Sequence, residues 1–304
     1  MTSREGEGGE PAVDPPGGAS RRLSAAERRI DRLSRRMLER AGERGIRAGL
    51  IEFLVFGLKQ AWACLFGALM LVAIIAARLW WPDDAVFARN DALVIAAVVI
   101  QALMLLARLE TGRELWVIML FHVVGTVMEL FKTGVGSWLY DPDGLLRIGG
   151  VPLFTGFMYA AVGSYMVRVY RLFDLRFERY PRLWATALLA LAAYANFFAH
   201  HYVWDARWLL LALVVLVYRR TWMHYRVFRR TFRMPVLLAF ALVALFIWFA
   251  ENIATWAGAW AYPDQVDGWE PVSWMKLVSW FLLMLISVVL VTAVYPPKPA
   301  APSR

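Results

Sequence analysis

Two short stretches carry the residue types from which chemistry could be built. Glu129-Leu-Phe-Lys-Thr133-Gly-Val-Gly136-Ser-Trp138-Leu-Tyr140 and Glu251-Asn-Ile-Ala-Thr255-Trp-Ala-Gly258-Ala-Trp260-Ala-Tyr262 share Glu, Thr, Gly, Trp and Tyr at identical offsets. Five such matches point to an internal duplication. Each stretch ends an apolar run, so each glutamate sits inside a hydrophobic segment rather than in a loop. A carboxyl at helix-centre depth in a membrane costs a few kcal/mol to ionise, so it tends to remain a protonated acid unless it is paired. Two such acids beside tryptophan and tyrosine faces suit proton donation to an alkene or polyene, with the aromatic rings stabilising the cation that forms.

Histidine adds to the set. His200 and His201 end another apolar run behind Asn196, and His122, Thr126, Glu129 and Thr133 share one helical face at i, i+4, i+7 and i+11. The paired imidazoles could relay protons or bind a metal with the glutamates, but no HxxxH or ExxH spacing occurs and no metal site is assigned. Glu129, Glu251, His200 and His201 are therefore the candidate catalytic residues. His122, Thr133, Trp138, Tyr140, Asn196, Thr255, Trp260 and Tyr262 are the candidate substrate contacts. The plainer readings are an aromatic belt for the tryptophans and tyrosines, a Glu129–Lys132 pair three residues apart, a bond from Glu251 to Asn252, and helix packing for His122. No motif names a cofactor.

The elements that must hold these groups follow from composition. Of 304 residues, 60% are hydrophobic and 19% charged, with a mean hydropathy of +0.50. That composition excludes an ordinary soluble domain. The net charge of +9 does not imply nucleic acid, because the arginines fall in blocks between apolar runs. Cys64 is the single cysteine, so no intramolecular disulfide forms. No signal-peptide core precedes the first apolar run.

A membrane span needs about 20 apolar residues. Eight candidates result: Ala61 to Trp80, Ala92 to Leu109, Leu115 to Phe131, Val151 to Tyr170, Leu183 to His201, about Trp204 to Trp222, Met234 to Glu251, and Val272 to Tyr295. The basic blocks at Arg21 to Arg47, Arg108 and Arg113, Arg168 to Arg182 and Arg219 to Arg233 alternate with acidic loops. The positive-inside rule then places both termini in the cytoplasm. The expected fold is an all-α integral membrane protein of the plasma (inner) membrane, with eight transmembrane helices in two parallel four-helix repeats. The expected divisions are a disordered tail (1–20), a basic amphipathic cytoplasmic helix (21–48), repeat one (49–170), repeat two (171–296) and a cytoplasmic tail (297–304). Counting at about 1.5 Å per residue from the cytoplasmic starts puts Glu129, His200 and Glu251 roughly 21 to 26 Å in, near the outer boundary. Glu52, Lys59, Gln60 and Cys64 form a further polar stripe that reads as structural pairing.

Longer strings carry a family resemblance. Glu52-Phe-Leu-Val-Phe-Gly-Leu-Lys-Gln-Ala-Trp-Ala-Cys64, Met128-Glu-Leu-Phe-Lys132, Val151-Pro-Leu-Phe-Thr-Gly-Phe-Met-Tyr159, Asn196-Phe-Phe-Ala-His-His201 and Ala250-Glu-Asn-Ile-Ala-Thr255 resemble the bacterial integral-membrane family known as domain of unknown function 817. The likeness runs from about Leu50 to Tyr295 and implies the fold rather than an activity. More loosely, the glutamate, glycine, Trp/Tyr pair and Gly-Val-Pro-Leu of Glu129 to Leu153 resemble membrane carotenoid hydratases and lycopene cyclases. That likeness implies protonation of a polyene, with Glu129 and Glu251 as the acids. Three functions are open at this point: acid-base chemistry on an isoprenoid or other lipid at the outer leaflet, transport of a small solute or ion through the same glutamates, or a sensor or partner protein. Membrane lipid is the expected partner, nucleic acid is not, and no protein partner is identified.

Overall fold

The computed structural model describes residues 28–30, 32–33, 35–37, 45–82 and 84–300. The expected tail at 1–20, most of the 21–48 segment and 301–304 lie outside the described residues, and the described parts of 28–37 are helical. The helices are α1 (Ile46–Ala63), α2 (Leu65–Trp80), α3 (Arg89–Leu106), α4 (Gly112–Gly134), α5 (Phe154–Leu172), α6 (Leu183–Ala199), α7 (Arg207–Tyr218), α8 (Val236–Trp256) and α9 (Lys276–Val294). Each of the eight apolar runs overlaps one of α2 to α9, because an apolar backbone without water must satisfy its own hydrogen bonds and does so as helix.

Four of these helices, α3, α4, α8 and α9, are long and apolar enough to cross a membrane, and a fifth span results if α1 and α2 are taken together. The chain is a membrane protein. Its outward faces agree: Val72, Trp116, Val123, Leu188, Leu216, Leu242 and Phe246 are exposed on the helix surfaces, where lipid rather than water is their matching solvent. The α7 helix has 12 residues, which is about 18 Å of rise against a hydrocarbon core of about 30 Å. In α5, Arg168, Arg171, two glycines and three tyrosines dilute the apolar content.

The first apolar run differs from expectation. Helix begins at Ile46, well before Ala61, and the chain turns by 68° at Cys64 between α1 and α2. The reason is the Glu52–Lys59 stripe, which faces protein rather than a membrane edge. Lys59 Nζ donates to the Val227 carbonyl at 2.6 Å, and the Arg229 amide donates to Glu52 Oε1 at 3.1 Å.

Both groups clasp an element that was expected to be loop. The arginine-rich segment after α7 is a hairpin of β4 (Trp222–Arg226) and β5 (Thr231–Pro235), and β3 (Arg176–Glu178), which follows α5, pairs antiparallel with β4 to make a three-stranded sheet. His224 Nε2 on β4 lies 2.6 Å from Glu178 Oε1 on β3, a side-chain tie across the sheet. The described part of the expected C-terminal tail also docks here: Phe177 donates to the Lys298 carbonyl and Ala300 to the Phe177 carbonyl. A second, smaller pair, β1 (Arg147–Ile148) and β2 (Val151–Pro152), forms the turn before α5.

Lys59→Met keeps most of the stem and removes the donor to a buried carbonyl. It should cost about 1.5–3 kcal/mol of stability and speed tryptic cleavage after Arg226, Arg229 or Arg230 in detergent. Unchanged melting and cleavage would show that the clasp holds nothing.

Candidate functional site

The α4 and α8 helices end in the same way. In α4 the cap residue is Val135, Gly136 takes φ 71°, its amide bonds Thr133 O, and the Ser137 amide bonds Lys132 O. In α8 the cap is Ala257, Gly258 takes φ 70°, its amide bonds Thr255 O, and the Ala259 amide bonds Ala254 O. Both are Schellman closures, in which the left-handed residue must be glycine to avoid a Cβ penalty. The turn reverses the chain so that the next Trp and Tyr fold back toward the glutamate that precedes them. The two returning segments then meet: Leu139 and Ala261, each ten residues beyond its glutamate, exchange backbone hydrogen bonds of 2.8 and 2.9 Å.

The reversal delivers hydrogen-bond donors to buried acids. Glu129 is buried, and its carboxyl accepts from Trp138 Nε1 at 2.8 Å, Tyr140 OH at 2.7 Å and Tyr159 OH at 2.7 Å. Glu251 is equally buried and accepts from the Tyr262 hydroxyl and from Trp280 Nε1, the latter at 2.6 Å. Tyr140 and Tyr262 thus play matching parts, while Tyr159 and Trp280 come from α5 and α9, the helices that follow each turn. Glu251 takes its indole from Trp280 rather than from Trp260. Burial first, and then the adjacent glutamate, holds the phenols of Tyr140 and Tyr262 well above their ordinary range, so both remain neutral donors.

Tyr159 reaches Glu129 because α4 and α5 pack closely: a methyl on Gly125 would overlap the Tyr159 ring. Lys132 does not pair with Glu129. Its amine lies 3.3 Å from His200 Nε2 and 2.9 Å from His201 Nε2, and Ser137 Oγ is 3.3 Å from His201 Nε2. Asn252 bonds the Trp248 carbonyl and the Val272 amide instead of Glu251.

Both glutamates open onto one elongated cavity of about 800 Å³, within the range of small-molecule sites. Glu129, Glu251, His200, Trp138, Tyr140, Asn196, Trp260 and Tyr262 line it, with Tyr159, Trp280, Lys132 and Lys276. Its body is apolar, walled by residues such as Met70, Met158, Phe197, Val243 and Ile247, and it extends to Phe177 and Tyr225 of the sheet. Asn196 also binds Asp205 and the Ala206 amide, closing the turn between α6 and α7.

Four of the candidate residues do not line the cavity. His201 stands behind Lys132, His122 packs edge-on against Phe157, Thr133 is turned away with a buried hydroxyl, and Thr255 accepts from Trp269 Nε1 at 3.1 Å. The helical face that joined His122 to Glu129 is real, but it is longer than the cavity it flanks. Tyr159, Trp280 and Lys276 escaped the sequence reading because they approach from neighbouring helices. One signal was present: an aromatic donor lies 30 residues beyond Glu129 and 29 beyond Glu251.

The family described as Protein of unknown function (DUF817) matches residues 52–288, which takes in α2 to α8, both glutamates and most of α9. The chain belongs to the DUF817 family. A relative from Bacillus subtilis (strain 168), Uncharacterized protein YoaT, is 42% identical over 249 residues, covering 82% of this chain and 94% of YoaT. No solved structure matches. The DUF817 segment thus contains both carboxyls and every aromatic donor to them.

Tyr159→Phe removes one of three donors to Glu129 and should cost about 1.5–3 kcal/mol, whereas Glu129→Leu strands all three and should cost roughly 3–6 kcal/mol. Thermal unfolding of both variants in one detergent checks this. Equal losses would mean that the donors do not converge on the carboxyl.

Proposed function

We propose that this membrane protein carries out acid-base chemistry of the hydratase, cyclase or isomerase kind on an isoprenoid or other lipid held in the central cavity. One observation carries the reading: two buried carboxyls from different helices open onto the same apolar cavity. A packed structural bundle would have no use for that space.

In this scheme one carboxyl transfers its proton to an alkene carbon. The π pair forms the new C–H bond and positive charge develops on the neighbouring carbon. Trp260 and Trp280, whose rings hold no cation among the described residues, also line the cavity, and they are the groups that stabilise that charge. The cation is then quenched by water, by a second double bond in ring closure, or by loss of a neighbouring proton to the other carboxyl. The three donors on Glu129 favour its ionised form, which suits the accepting role, while Glu251, with two, more readily holds the proton to be given.

We further propose eight membrane-crossing helices in two parallel repeats, α2–α5 and α6–α9, in the plasma (inner) membrane. Both termini are then cytoplasmic, with the arginine-rich sheet on that side and the glutamates toward the outer leaflet. Three observations support this arrangement: the matched closures of α4 and α8, the reciprocal Leu139–Ala261 pair, and the concentration of arginine around the sheet.

The test is native mass spectrometry and lipid extraction on the detergent-purified wild type and on the Glu129→Gln/Glu251→Gln double variant. A co-purified isoprenoid or other lipid on the wild type that is lost or chemically altered in the variant is the expected result. Identical bound species and identical stability in the two proteins would remove the carboxyls from any lipid site.

A further inference from the structure

Lys132 and Lys276 bring two amines to the cavity wall beside the glutamates, and neither forms an ion pair among the described residues. The Lys132 amine lies between His200 Nε2 and His201 Nε2. His200 Nδ1 is 2.9 Å from the Asn196 carbonyl, which can only accept, so that nitrogen carries the ring hydrogen and Nε2 meets the ammonium as an acceptor. The imidazole therefore aims the amine without cancelling its charge.

Lys276, at the start of α9, has no hydrogen bond from its amine among the described residues. It stands 4.0 Å from the centre of the Tyr262 ring and 5.6 Å from that of Trp138, so ring faces hold it while its N–H groups remain unused. The acids nearest the two amines, Glu251 and Asp264 near Lys276 and Asp205 near Lys132, make no direct ion pair with them among the described residues; Glu251 is bonded by aromatic donors and Asp205 by Arg207 at 2.5 Å. Ammonium groups in a low-dielectric wall with unfilled donor positions are costly to maintain unless an anion completes them.

An anion that satisfies both amines must reach α4 and α9 together, and the several oxygens of a phosphate bridge separate cations better than a carboxylate does. Beyond this end the lining is mostly apolar, with Gln60, Tyr165 and Thr292 among the few polar side chains, so an anion held here is matched by a hydrocarbon chain attached to it. We propose that Lys132 and Lys276 bind the phosphate headgroup of a phosphorylated lipid whose chain fills the cavity. This rests on the lipid-site reading above and narrows it to one class of headgroup.

The test titrates full-length, delipidated protein in detergent with three probes: farnesyl monophosphate, farnesol and inorganic phosphate. Two charge-assisted contacts should make the phosphate ester bind about tenfold or more tighter than the alcohol. In Lys132→Met/Lys276→Met that advantage should collapse, with farnesol binding unchanged; Lys132→Arg/Lys276→Arg, which keeps both charges, should retain most of it. Farnesol binding is also the folding control for each variant. Equal affinity of ester and alcohol for the wild type would overturn the headgroup assignment while leaving the lipid site standing. Displacement of the ester by inorganic phosphate at matching concentration would overturn it in favour of a free-anion site. Binding of no probe would overturn both the headgroup and the lipid site.

Discussion

A carboxyl buried among apolar helices must be given hydrogen-bond donors, and meeting that demand twice shapes this bundle. Neither α4 nor α8 can supply donors to its own glutamate, because its backbone N–H groups are consumed by the helix. Each chain therefore turns back at a left-handed glycine and returns a tyrosine. The two returning strands occupy the same space and satisfy each other through Leu139 and Ala261. The aromatic bulk needed to deliver an indole or a phenol also props the helices apart, and the cavity lies between them. Donor supply, chain reversal, pairing of the two turns and the open interior are thus successive consequences of one electrostatic requirement.

The sequence made the helices legible because hydrophobic runs in a membrane protein have little choice but to be helical. It was much less informative wherever charge dominated. Trp222 to Arg226 and Thr231 to Pro235 carry β-branched and aromatic residues that suit strands, but they lie within an arginine block whose most prominent property is its charge. The α1 helix was hidden for a related reason. Glu52 and Lys59 made Ile46 to Gln60 look like a membrane flank, whereas they are the groups by which that helix holds the hairpin.

The site was legible as far as local spacing could reach. Glu129, Trp138 and Tyr140, like Glu251 and Tyr262, fall within twelve residues of each other, so the matching spacings display them directly. Tyr159 and Trp280 depend on how α5 packs on α4 and α9 on α8, and Lys276 on where α9 begins. Those are tertiary facts. His122, Thr133 and Thr255 show the opposite limit, since helical periodicity groups residues by direction and says nothing about where the neighbouring wall stops.

The fastening of the bundle has a mechanical consequence. At one end, Leu139 and Ala261 bind the segment after α4 to the segment after α8; at the other, α1 grips the β4–β5 hairpin while β3 and the C-terminal segment brace the sheet. A body pinned at both ends cannot rock about its middle without breaking backbone hydrogen bonds at one end or the other. On the proposed lipid-site reading, entry to the interior then runs sideways between helices, as through the slats of a fixed frame. That is the route the proposed lipid substrate would take from the bilayer.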